Sequence, residues 1–335
     1  MKKLFSFLVV ALVSTAMSYG QSTLVATLSH EGVISTFYTA SALKDAYEAA
    51  VDGDIITLSS GTFTSVNISK SLTIRGAGME PNTATGSLPT IISGDFTIQR
   101  ECGMLMLEGI YHNSNLYCDN DNASIIKSRF KNILYAQLRR GMQNYSFINC
   151  RISALLRITE GASISCTNCI VNYPENKSSR SSFDFTNCIV CRGNWGGQDF
   201  YNASMKNCIY IENGLKSSLD PSHSLYNTVC VYTAQNEVDL LANSTNGTNA
   251  VVEGYSNVFA TYSTFTGEFP DSESFELTDN AKATYKGLDG TQVGIYGGTL
   301  PYDPTPSGPQ IAKCNVASKS TADGKLSVDI EVKSY

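Results

Sequence analysis

Runs of one charge sign are missing from this sequence: 24 basic and 30 acidic residues give a net charge of −6, spread without clusters. That excludes the basic stripe of a nucleic-acid binder, and an acidic polymer would meet only local basic patches. Past Val13 no apolar run is long enough to cross a bilayer as a helix, so no membrane span is expected. Histidine occurs three times, as His30, His112 and His223, each without a ligating or catalytic neighbour in sequence. A lone imidazole of that kind is ordinarily structural or exposed. Tryptophan occurs once, as Trp195. Gly76-Ala77-Gly78 starts like a dinucleotide fingerprint and breaks at Pro81, which excludes that nucleotide site.

What the chain has is repetition. Between Tyr145 and Cys230 the pattern apolar-x-Asn returns as Phe147/Asn149, Cys166/Asn168, Phe185/Asn187, Met205/Asn207 and Leu225/Asn227, about every 20 residues. A short period with β-type composition is the signature of a solenoid whose coils bury their faces against each other. Stacked at the sheet spacing of roughly 4.8 Å, the apolar column becomes a core stripe. The asparagines become a ladder of inward amides at a tight turn, a post whose left-handed backbone asparagine tolerates. Extending the register backwards lands on Ser128, Gly109 and Gly76.

From its start the chain reads as an export signal over 1–20, with Lys2-Lys3, the apolar run Leu4 to Val13 and a small-residue end before Gln21. A secreted protein is expected, whether periplasmic, cell-surface or extracellular. After a lead-in segment over 21–38, Leu43, Ala46, Tyr47, Ala50 and Val51 fall at helical spacing and predict a short amphipathic helix. Short strands separated by turn signals follow it. Residues 301–309 hold Pro301, Pro304, Pro306 and Pro309 and predict a stiff linker. The alternation of Leu326, Val328, Ile330 and Val332 predicts a two-stranded tail over 310–335.

The helix followed by Gly53-Asp54-Ile55-Ile56-Thr57-Leu58, then Leu72-Thr73-Ile74-Arg75-Gly76, resembles the capping helix and first coils of secreted right-handed parallel β-helix proteins, the pectate-lyase-like superfamily. Phe275 to Gly298 resembles the closing coil of such proteins, so the resemblance covers residues 39–300 as one solenoid domain. It implies an all-β, right-handed parallel β-helix with an N-terminal capping helix and a short C-terminal β tail. It is specific for fold and weak for chemistry.

Ten cysteines in an exported chain would ordinarily suggest disulfides. Cys150, Cys169, Cys188 and Cys208 share one column, however, where parallel Cβ vectors disfavour bridging. Buried free thiols are expected instead. Cys166-x-x-Cys169 with Cys188-x-x-Cys191 has a zinc-ribbon spacing, but the repeat explains that spacing without a metal.

The Asn-Thr-Asp, Asp-Asp, Gly-His-Gly and Arg-Ile-Lys motifs of β-helix polygalacturonases are missing, as is the Trp-x-Asp-His motif of many pectate lyases. A lyase needs a base to take a proton alpha to a carboxylate, with cations to hold the charge that develops. Arg139, Arg140, Arg157 and Glu160 are the candidates for that role, with Ca²⁺ as the cofactor if the chain is a lyase and none otherwise. Asp119 and Asp121 offer calcium ligands, although a solvated turn explains them too. Trp195 with Arg192, Asp199 and Tyr201 is the most suggestive ligand-binding patch, because sugar rings stack on aromatic faces while polar neighbours take the hydroxyls, although an indole folded back over its own coil as a clamp explains the stretch as well. The favoured expectation is a monomeric, non-catalytic module that recognises a polysaccharide or cell-surface glycan. The alternative is a polysaccharide lyase acting on uronic-acid polymers.

Overall fold

The computed structural model describes residues 24–82, 86–135, 142–158, 161–176, 180–192, 200–212, 220–232, 240–241, 247–261, 273–308, 310–316, 319–321, 323–325 and 327–333. The chain is a parallel β-solenoid built on two long sheets, one of 12 strands and one of 13. In the 12-stranded sheet, here sheet I, neighbouring strands come from successive coils: Asn122–Ile126, Asn144–Ile148, Ser163–Thr167, Ser182–Thr186, Ala203–Lys206 and Ser224–Tyr226 all pair in parallel. Sheet II carries the strands that follow them, among them Ile170–Asn172, Ile189–Arg192, Ile209–Glu212 and Val229–Tyr232.

Sheet I strands alternate, as a half-buried strand must. Tyr145 and Phe147, Ile164 and Cys166, Phe183 and Phe185, and Ala203 and Met205 point into the core between the sheets. From Ile170 onward the sheet II strands do not alternate. Ile189-Val190-Cys191-Arg192 and Ile209-Tyr210-Ile211-Glu212 are buried throughout, which requires cover on both faces. Val190 and Tyr210 belong to the inner core, whereas Ile189, Cys191, Ile209 and Ile211 belong to a second apolar cluster with Tyr255, Phe259, Leu277, Val293 and Ile295.

That second cluster explains the C-terminal third. The last paired solenoid strands are Gly247–Thr248 and Val251–Gly254. Residues expected to close a further coil instead turn back over coils already built, since the outward isoleucines and valines of sheet II need cover. Leu288 N donates to Asn207 Oδ1 at 3.1 Å and Gly294 N to Asn207 O at 2.8 Å. Farther along, Lys127 Nζ donates to Thr305 O at 2.6 Å, and Ser307 N to Glu108 Oε1 at 2.8 Å. The proline-rich stretch read as a linker is therefore laid against the solenoid as far as Ser307. Beyond it, Gln310–Val316 and Val328–Lys333 form the expected two-stranded tail, an antiparallel sheet of their own.

At the front, the lead-in segment folds as an antiparallel hairpin, β1 (Val25–His30) and β2 (Val33–Tyr38), and β1 extends sheet I. The predicted helix is α1 (Ala42–Ala49), with Ala42, Leu43 and Ala46 buried against the first strands. Val51, assigned to its apolar stripe, lies past the helix end and is exposed. Lys70 Nζ closes the helix C-terminus by donating to the carbonyls of Tyr47 at 2.7 Å and Ala50 at 2.6 Å, where a cation also meets the negative end of the helix dipole.

The repeated asparagines stack in one line, each in left-handed conformation with φ of 53° at Asn149, 50° at Asn168, 52° at Asn187, 54° at Asn207 and 46° at Asn227. Their register extends to Lys127, with φ 48°, and not to Ser128. Ser128 belongs to the next column, the cysteine column. There the hydrogen-bonding groups of Ser128, Cys150, Cys169, Cys188, Cys208 and Thr228 bridge adjacent coils. Cys150 N donates to Cys169 Sγ at 3.3 Å and Cys169 N to Cys188 Sγ at 3.4 Å, while Cys169 Sγ lies 3.3 Å from Thr167 O. The hydroxyl-bearing ends of the column do the same work, Ser128 Oγ donating to Ile126 O at 2.9 Å. These thiols are thus free and buried, as expected, but they act as turn-satisfying groups as well as small apolar ones.

Candidate functional site

The C-terminal segment occupies the outer face of the sheet II strands from Ile170 to Val231 and part of the turn column, and among the described residues the outer side of sheet I is left open along its coils. Two files of side chains run along it. One is Met106, Ser124, Ser146, Ser165, Asp184, Ser204 and Ser224, in continuous register. The other is Arg75, Glu108, Ile126, Ile148, Thr167, Thr186, Lys206 and Tyr226. Strand alternation places them outward, and parallel stacking repeats a donor or acceptor roughly every 4.8 Å. Asparagine adds a parallel edge, with Asn144 Nδ2 donating to Asn122 Oδ1 at 2.8 Å.

The head of this face is a cleft of about 520 Å³ lined by Arg75, Glu108, Ser60, Ser87, Leu88 and Pro306, among others. Glu108 is fixed twice, by Ser307 N at 2.8 Å and by Arg75 Nε at 3.4 Å. Gly76 at its wall has no room for a side chain, since a Cβ there would fall 2.4 Å from Gly109 O.

The residues singled out from sequence are placed only in part. Trp195 and Asp199 lie outside the described residues, as do Arg139, Arg140 and Glu160. Arg157 sits on the strand Leu155–Ile158. Arg192, assigned to the surface patch, is only 6 % exposed and stands in register beside Glu212, 4 % exposed. Glu212 accepts from Tyr210 OH at 2.9 Å, and burial first, then the Glu212 charge, pushes the Tyr210 hydroxyl well above its ordinary range. Arg192 is therefore part of a buried polar cluster at the end of sheet II. Tyr201 is half-buried, its carbonyl accepting from Asn176 Nδ2 at 2.9 Å.

Asp119 and Asp121 flank the buried Asn120, whose side chain donates to Asn122 O at 2.6 Å and accepts from Tyr145 OH. Among the described residues no three His, Cys, Asp or Glu side chains converge on a metal position. The zinc-ribbon spacing dissolves for a geometric reason. Cys166, Cys169 and Cys188 face the inner core, whereas Cys191 faces the outer cluster.

His112 is buried between Phe96 and Phe130 with Nε2 2.9 Å from Gly94 O, and burial holds its pKa below the usual value. His30, half-exposed, pairs with Asp54 at 2.8 Å. The polar, Asn/Ser/Thr-rich exterior is legible in the sequence, but not which sheet carries the open face, because a period-2 pattern of serines and threonines looks like any solvated strand side. Its signal is the contrast with the later sheet II strands, where the runs at Ile189–Arg192, Ile209–Glu212 and Val229–Tyr232 announce a covered face.

Compared with known proteins, the chain matches no family model, no curated protein and no solved structure.

Proposed function

We propose that the chain is a secreted β-helix protein of the pectate-lyase-like kind, with right-handed coils, that recognises a polysaccharide or cell-surface glycan without cleaving it. The observation that carries this reading is the open outer face of sheet I. Among the described residues it is long, regularly spaced and lined with hydroxyls, amides, Lys206 and Tyr226, whereas the outer face of sheet II from Ile170 onward is covered by the protein's own C-terminal segment. Extended glycans bind such surfaces through hydrogen bonds from hydroxyls, with an aromatic ring as anchor. Trp195 offers a second anchor on the same grounds.

A glycan array with purified protein tests the reading. Binding should weaken by about 1–3 kcal/mol in Tyr226→Ala, the range for loss of an aromatic anchor. Ser165→Arg, which projects a long cation from the exposed file, should reduce it as well. Absorbance of uronic-acid polymers is followed in parallel. A growing unsaturated chromophore would replace this reading with the lyase, and turnover would then be sought at Arg139, Arg140 and Arg157. Binding that is indifferent to both face substitutions and lost only in Trp195→Ala would move the site to Trp195 and its sequence neighbours.

A further inference from the structure

The outermost strand of sheet I is β2, and nothing pairs with its far edge among the described residues. Its six residues, Val33-Ile34-Ser35-Thr36-Phe37-Tyr38, carry no charge and no proline, the devices by which exposed edges are usually protected. Val33 is 66 % exposed, Ile34 70 % and Tyr38 57 %. Alone, such an edge is hydrated, and its row of N–H and C=O groups is a template for another extended strand.

We infer that β2 pairs antiparallel with β2 of a second copy of this chain about a two-fold axis through Thr36. The backbone fixes this register. Thr39 N donates to Leu24 O, on the β1 side. Amides of one strand alternate in direction, so Val33, Ser35 and Phe37 also face β1, while Ile34, Thr36 and Tyr38 send their N–H and C=O groups to the open edge.

An antiparallel pair of identical strands related by a two-fold axis must place each residue opposite one of the same parity. Centring the axis on Thr36 sets Thr36 against Thr36 of the second copy and Ile34 against Tyr38, twice. Each of these pairs exchanges both backbone bonds. Threonine–threonine and aromatic–β-branched pairs are favourable cross-strand combinations. The strand is therefore self-complementary in that register and closes as an isologous dimer instead of an open fibre. The inference departs from the monomer expected from sequence and is independent of the glycan reading.

The test uses the full exported chain. Light scattering during size-exclusion chromatography from micromolar to millimolar concentration should show a dimer that Thr36→Lys, placing two ammonium groups across the axis, converts to monomer with an unchanged circular-dichroism spectrum. Hydrogen exchange of the unsubstituted protein gives a second readout. Amides of Ile34, Thr36 and Tyr38 should gain protection as concentration rises, while those of Ser35 and Phe37 stay protected throughout. A monomer across the whole range overturns the inference. So does a dimer that persists in Thr36→Lys, or protection of the three amides that is the same at every concentration, which would mean that the chain covers its own edge.

Discussion

Asn168 gives both protons of its side-chain amide to the C-terminal segment, one to Ile295 O at 2.7 Å and one to Gly297 O at 2.8 Å. The asparagine column expected to form an inward ladder therefore serves, at this coil, as a seat for chain that returns from the far end. Asn207 seats the same segment in the opposite sense, accepting from Leu288 N on its side-chain oxygen and from Gly294 N on its backbone carbonyl. Amide-to-amide bonding along the column is seen at its end, where Asn249 Nδ2 donates to Asn227 Oδ1 at 3.0 Å.

Replacing Asn168 by glycine keeps the left-handed backbone available and removes only the amide. Ile295 O keeps its bond from Tyr302 N at 2.7 Å, so the carbonyl left unpaired is that of Gly297, and a loss of about 1–3 kcal/mol is expected in urea unfolding. Limited proteolysis should also cut sooner within 285–308. Asn168→Gly with wild-type stability would mean that the segment is held by its apolar contacts alone.

Gly298 has φ of 76°, and a Cβ there would fall 2.0 Å from Asn187 Nδ2. Gly298→Ala should lower stability by more than the ~1–2 kcal/mol of left-handed strain, because the amide column must also shift. Thermal unfolding of this variant beside Gly308→Ala, where a Cβ meets nothing, separates the steric cost from a general glycine effect.

Cys169→Ser should be mild and Cys169→Ala should cost about 1–3 kcal/mol, since the hydroxyl reproduces the bonds made by Ser128 and Thr228 elsewhere in the column while alanine strands the Cys150 N–H. Burial raises the pKa of Cys150, Cys166 and Cys188 well above the ordinary thiol value, and that of Cys118 to about 12. Native protein at pH 8 should hence resist a thiol reagent at these positions and react fully in denaturant. Rapid labelling of the folded chain at the column would contradict the inward orientation.

The His30–Asp54 pair should make stability depend on pH within a defined window. His30 is raised, by its hydrogen bond to Asp54 first, so its contribution is complete below its unfolded pKa of 6.5 and disappears as pH rises through the higher folded value. Asp54 is lowered, although burial opposes the Val51 N–H and His30 contacts that lower it. Its contribution is complete above 3.8 and disappears as pH falls through the lower folded value. The stability difference between wild type and His30→Gln should be greatest near pH 5 and shrink above neutrality. A difference that is flat between pH 5 and 8 would remove the ion pair from the account.

The sequence by itself determined the solenoid. A period-2 alternation inside a repeat of about 20 residues leaves one way to bury Phe147, Cys166, Phe185, Met205 and Leu225, which is to stack them in register. It also determined the left-handed turn, because asparagine and glycine tolerate that conformation best, and the helix over Ala42–Ala49 through its buried stripe.

Tertiary structure alone decided which sheet is covered, that the proline-rich stretch lies on the coils up to Ser307, and that Arg192 is inside. Those outcomes depend on contacts between residues as distant as Glu108 and Ser307, and local patterns carry no term for them. The same holds for the open face of sheet I. Its serines read as solvated from sequence, and the C-terminal segment, placed on the later strands of the opposite sheet, leaves them uncovered among the described residues.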